Sequence, residues 1–200
     1  MQGLPCTPNV LLPRDIDDIE TQAMLRHHPN TPAHLFLDDT PYFITGAIHN
    51  RRHLLKDDAL KQEMLLCMRK VFPAYHWDLQ HWVILDNHYH LLANSRLGKD
   101  MPSIIGELHS RSAHCIRQAT ACELPVWWNY WDYCPRDERD YYRHLNYLLY
   151  NPIKHGYVTD LKQYAYSSFH ELFDRLGREE LARQFHTYPD YRSLDLSDDF

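Results

Sequence analysis

Between residues 40 and 190 the spacing of apolar positions changes several times, and each change marks an element. "TPYFITGAIHN" (40–50) is dense in β-branched and aromatic residues and reads as a first strand. After "RRHLL", the segment "DDALKQEMLLCMRKVF" (57–72) sets Leu60, Met64, Leu65, Met68, Val71 and Phe72 at helical spacing, with Asp57 or Asp58 as its cap. "AYHWDLQHWVILDN" (74–87) reads as a second strand whose buried end is Val83, Ile84 and Leu85. "HYHLLANS" (88–95) reads as a third, joined to it by a tight turn at Asp86-Asn87. "MPSIIGELHSRSAHCIRQA" (101–119) is a second helix with Pro102 just inside its start. "LPVWWNYWDYC" (124–134) is a fourth strand with its approach loop. "RDERDYYRHLNYLLYN" (136–151) is a third helix, with Asp137, Glu138 and Asp140 near its positive N-terminus and Pro152 ending it. A last amphipathic stretch, 167–185, is broken at Gly177. The order β-α-β-β-α-β predicts an α+β protein, a ferredoxin-like βαββαβ sandwich with an additional helix after the fourth strand.

Residues 1–35 hold five of the twelve prolines and little periodicity, so they read as an N-terminal extension with one short helix near 15–28. A main domain then covers 36–170, and 171–200 form a helical, acidic tail. The 200 residues, 44% of them hydrophobic, are enough to bury a core. No apolar run approaches the roughly 18 residues of a membrane span, and the N-terminus lacks the pattern of a signal peptide. Five cysteines without a CxxC pair read as reduced thiols in the cytoplasm. The net charge of −6 argues against a nucleic-acid partner until it is resolved along the chain. Residues 1–48 and 157–200 each carry −4, and residues 49–156 carry +2, so a mildly basic middle lies between acidic flanks.

Chemistry concentrates in "DNHYHLL". Side chains two apart on a strand share a face, so His88 and His90 project together with Tyr89 opposite, and paired imidazoles suit a divalent metal. The bland alternative is a chance triplet in a chain with fifteen histidines. On the third helix, Tyr147 and Asn151 are four apart and share a face. An Asn oxygen suits Mg2+ or Mn2+, and a tyrosine beside such an ion is a candidate nucleophile. Tyr141, Tyr142 and Tyr150 compete for that role, and spacing does not choose among the four.

"DNHYHLL" together with "YYRHLNYLLYNPIKHGYV" resembles the HUH transposases that use one catalytic tyrosine, in their REP-associated (RAYT-like) branch. "YFITGAIHNRRHLL", "NYWDY" and "YAYSSFH" extend the resemblance over roughly residues 40–170. It implies that His88 and His90 ligate a metal, Mg2+ or Mn2+, and that Tyr147 is the nucleophile. Asn151 stands where related transposases often place a Gln ligand. The activity implied is cleavage and rejoining of single-stranded, hairpin-associated DNA through a 5′-phosphotyrosine intermediate, by a monomer or a homodimer. Two other readings stay open: a domesticated module that holds structured DNA or RNA without cutting, and a metal-dependent hydrolase using bound water.

Arg51, Arg52 and His53 after the first strand, and Arg136, Arg139, Arg143, Lys154 and His155 around the third helix, are candidate DNA contacts or a solvated helix face. Trp127, Trp128, Tyr130 and Trp131 are candidates for base stacking or for core packing. The acidic C-terminus, residues 193–200, is a candidate restraint folded over the basic site.

Overall fold

A computed structural model describes residues 36–194. The helix expected near 15–28 and residues 195–200 of the acidic tail lie outside the described residues. Strand β1 (Pro41–Ile48) is followed by α1 (Asp58–Ala74), β2 (Asp78–Ile84), β3 (His88–Asn94), α2 (Met101–Thr120), β4 (Trp127–Tyr133), α3 (Glu138–Lys154) and α4 (Phe169–Thr187). The four strands form one sheet in the order β2-β3-β1-β4, every neighbouring pair antiparallel. This is the split βαβ arrangement the hydrophobic pattern predicts, with the extra helix in place.

Period-2 alternation gives the sheet two buried faces. Tyr42, Ile44, Tyr89, Leu91 and Ala93 enter a core with Met64, Met68 and Phe72 of α1 and Ile104, Ile105 and Leu108 of α2. Phe43, Val83 and Leu92 point the other way, into a second core with Tyr141, Leu145, Tyr147 and Leu148 of α3 and Leu172 and Leu181 of α4. Gly46 sits opposite Tyr89, and a β-carbon there would overlap the Tyr89 ring, so the close approach requires glycine.

Two boundaries differ from the pattern. Helix α1 runs through Pro73 to Ala74, and His76 turns the chain with φ 59° before β2 begins at Asp78. Helix α3 starts where Asp137 accepts from the Asp140 amide (2.7 Å), but Pro152 does not end it. The helix continues one turn to Lys154, closed by the His155 N–H on the Asn151 carbonyl (3.0 Å). A proline so near the C-terminus forfeits only its own amide bond, which the surrounding core tolerates. The extra turn brings Lys154 onto the face that carries Tyr147. Helix α4 kinks at Gly177, whose φ is 77°.

Candidate active site at the β3–α3 junction

The strand register places the histidines. His88 lies opposite Ala47 and His90 opposite Thr45, both facing α3, and their ring centroids are 5.0 Å apart. Tyr89 faces the other core, where its hydroxyl meets His109 Nε2 at 3.0 Å. Each site imidazole is oriented by a neighbour. Nδ1 of His88 is 2.7 Å from Asn87 Oδ1, and Nδ1 of His90 is 2.7 Å from Thr45 Oγ1. An amide oxygen only accepts, so His88 donates from Nδ1 and keeps its lone pair on Nε2. His90 is fully buried, and its pKa is held well below the ordinary histidine value by burial first, then by His88, His155 and Lys154. It is therefore neutral at physiological pH, which is the form that binds metals.

Helix α3 answers from above with His144, Tyr147, Asn151 and Lys154 along one face. Phe43 of β1 is the common neighbour: it stacks on His90 at 5.3 Å and contacts His144 at 5.1 Å and Tyr147 at 6.3 Å between ring centroids. Tyr147 is buried, with its ring 5.5 Å from His90, and its hydroxyl oxygen accepts a 2.7 Å hydrogen bond from Lys154 Nζ. That ammonium favours negative charge on the phenolic oxygen. Asn151 donates from Nδ2 to the Tyr147 carbonyl (3.1 Å), which fixes the amide orientation.

This orientation leaves two buried atoms, His90 Nε2 and Asn151 Oδ1, without a well-formed hydrogen bond, although the two side chains lie within hydrogen-bonding reach of each other. Leaving such a group unsatisfied costs about 1–3 kcal/mol, and native interiors rarely accept it without a use. One imidazole nitrogen and one amide oxygen, with His88 beside them, fit a hard divalent cation of the Mg2+ or Mn2+ kind. Among the described residues no group of three His, Cys, Asp or Glu side chains is placed to hold a metal ion, so an ion here would take two imidazoles and an amide.

The competing tyrosines point elsewhere. Tyr141 donates to Gln80 Oε1 (2.8 Å), Tyr142 stacks on Tyr188 at 4.8 Å, and Tyr150 packs edge-on to Tyr191 at 5.3 Å. The basic residues divide into two groups. Arg51, His53 and His155 line a cleft of about 330 Å3 together with Asn87, His88 and Tyr157. Arg136, Arg139 and Arg143 instead line a separate cleft at the N-terminal end of α3 with Tyr133, His144 and Asp190. Arg139 pairs with the Asp190 carboxylate, and Arg136 donates to the Tyr133 hydroxyl at 3.0 Å. Arg52 spans backbone carbonyls, donating to His49 (3.0 Å), Glu123 (3.0 Å) and Pro125. Sequence reasoning missed Thr45 and Asn87 as orienting residues. Asn87 had a signal in its place beside His88, whereas Thr45 meets His90 only through strand register.

Comparison with known proteins gives the family and the fold. Residues 39–133 match the family described as "Transposase IS200 like". The REP-associated tyrosine transposase of Escherichia coli K12 is 30% identical, over 64% of this chain and 76% of that protein. A Haemophilus influenzae protein carrying the same family name is 47% identical, over 64% of this chain and 79% of its own length. A solved REP-associated tyrosine transposase bound to a REP hairpin superposes with a TM-score of 0.60 at 24% identity, covering 70% of this chain and 83% of the other, and so shares the fold.

Proposed function

Since this chain belongs to the REP-associated tyrosine transposases within the IS200-like family, we propose that it cleaves and rejoins single-stranded DNA flanking a hairpin, with Tyr147 as nucleophile and Mg2+ or Mn2+ at His88, His90 and Asn151. The observation that carries this reading is the meeting of Tyr147 with two buried side chains, His90 and Asn151, whose Nε2 and Oδ1 atoms have no well-formed hydrogen bond. Hairpin DNA as the partner is supported by the structural relative, which was bound to a REP hairpin.

A bound divalent ion supplies polarisation of the scissile phosphate and relief of its developing charge. The residues of the chain do the rest. Lys154 holds the phenolic oxygen of Tyr147 and stabilises the charge it carries as its proton leaves. That oxygen attacks phosphorus, a Tyr147 O–P bond forms, the P–O3′ bond breaks, and the departing 3′ oxygen takes up a proton from solvent that balances the one Tyr147 released to solvent. The product is a 5′-phosphotyrosine and a free 3′-hydroxyl. Attack by a 3′-hydroxyl on the phosphotyrosine reverses the exchange and joins strands without ATP, because one phosphoester replaces another. Thr45 and Asn87 keep the imidazoles in register throughout.

Incubation with a hairpin carrying single-stranded flanks and Mn2+ tests this. The wild-type chain is expected to give an SDS-stable protein–DNA adduct that Tyr147→Phe and EDTA each abolish. Binding without any adduct marks a non-cleaving module, and cleavage that survives Tyr147→Phe marks a hydrolase using water; either result overturns the proposal.

A further inference from the structure

Two adjacent tryptophans at the start of β4 have opposite fates. Trp127 is 7% exposed and stacks on His109 with ring centroids 4.5 Å apart, whereas Trp128 is 57% exposed. Trp128 is the one aromatic among the exposed large hydrophobic side chains of the described residues. An exposed indole offers a large, flat ring face together with a polar N–H, which suits it to contact with a partner.

Its position follows from pairing. At the end of β1, Ala47 pairs with His88 on one side and Ile48 with Trp127 on the other. Trp128 therefore stands at the same end of the sheet as the candidate active site, about 10 Å from His88 by two strand spacings. The β1–β4 register shifts between Gly46 and Ile48. This bulge lets Trp127 and Tyr130, three apart, serve the same core while Trp128 is turned out.

The exposed indole is also held firmly. Arg52 ties the turn after β1 to the approach of β4 through its bonds to the His49, Glu123 and Pro125 carbonyls, and the His49 amide donates to the Val126 carbonyl at 2.9 Å. The His49 ring lies 5.1 Å from the Trp128 ring, tilted by 40°. In the same turn Asn50 and Arg51 take positive φ values of 58° and 52°, and Arg51 lines the cleft that also holds His88 and His155. Consecutive left-handed, non-glycine residues carry strain of the kind kept where the backbone must aim a side chain. A basic cleft next to a rigid, flat, exposed aromatic is the combination that holds single-stranded nucleic acid, cations taking phosphates and rings taking bases.

We propose that Trp128 is a stacking platform for one unpaired nucleobase of the DNA strand that passes His88. The site accepts any base, since every base offers a π-face. This inference rests on the single-stranded DNA reading above and adds a subsite to it. The test uses the full chain in EDTA, with fluorescence anisotropy on a labelled hairpin bearing a single-stranded extension and on the same hairpin made blunt. Trp128→Ala is expected to weaken binding of the extended hairpin by about ten-fold or more and to leave the blunt hairpin unaffected. Trp128→Phe restores most of the loss. One abasic position in the extension weakens the wild type but not Trp128→Ala. Equal affinity of Trp128→Ala and wild type for the extended hairpin overturns the proposal, as does an equal loss on both hairpins. Dependence of binding on Trp128 without any covalent adduct keeps the platform and removes the cleavage reading. Adduct formation with binding indifferent to Trp128 does the reverse.

Discussion

The hydroxyl of Thr45, 2.7 Å from His90 Nδ1, can be replaced by a methyl group of nearly the same size in Thr45→Val. The ring then loses the partner that fixes its rotation, and Nδ1 is left unsatisfied in a fully buried place. Stability is expected to fall by about 1–3 kcal/mol, and Mn2+ affinity measured by titration calorimetry by about 10- to 100-fold. An unchanged metal affinity would show that Thr45 does not orient the ligand. Asn87 plays the corresponding part for His88 through a 2.7 Å contact. The effect acts through the imidazole, so Thr45→Val removes no atom proposed to touch DNA.

At the scale of elements, the site exists because β1, β3 and α3 meet around Phe43. Phe43→Ala empties the middle of that junction and is expected to cost about 3–5 kcal/mol in urea unfolding. Adduct formation by the remaining folded protein should also slow, because His90 and Tyr147 lose their shared neighbour. A variant that loses stability but cuts at the wild-type rate per folded molecule would show that Phe43 only fills space. Period-2 alternation made the shared face of His88 and His90 legible, and helical spacing did the same for Tyr147 and Asn151. The choice among four tyrosines was not legible, since Gln80, Tyr188 and Tyr191 engage the other three from distant parts of the chain. Nor was the role of Lys154, because proline rules stop a helix at Pro152 and only tertiary packing carries α3 one turn further. Sequence nearness also grouped Arg136, Arg139 and Arg143 with the site. Helix α3 is about 25 Å long at 1.5 Å per residue; Arg136 and Arg139 lie at its N-terminal end, and Arg143, one turn before Tyr147, lines the cleft there with them.

Across the whole molecule, both sheet faces are packed, and each core holds a neutral buried histidine. Burial pushes His81 and His109 down to about 3. The unfolded chain takes up these protons below about pH 6.5, while the folded chain refuses them until about pH 3. The stability they contribute is therefore present above pH 6.5 and is lost as pH falls, by about 1.4 kcal/mol per unit for each group. Urea unfolding from pH 7 to 5 should show this decline, and His109→Gln should make it shallower by one proton; an identical slope would mean that His109 is charged in the fold. The covalent product of the intact protein identifies the nucleophile directly. Trypsin cuts after Arg143 and Lys154, releasing residues 144–154, which contain both Tyr147 and Tyr150. Fragmentation of that peptide by mass spectrometry, after reaction with hairpin DNA and Mn2+ and nuclease trimming, is predicted to place a 5′-linked nucleotide on Tyr147. A nucleotide on Tyr150, or a peptide left unmodified while the DNA is cut, would contradict the account.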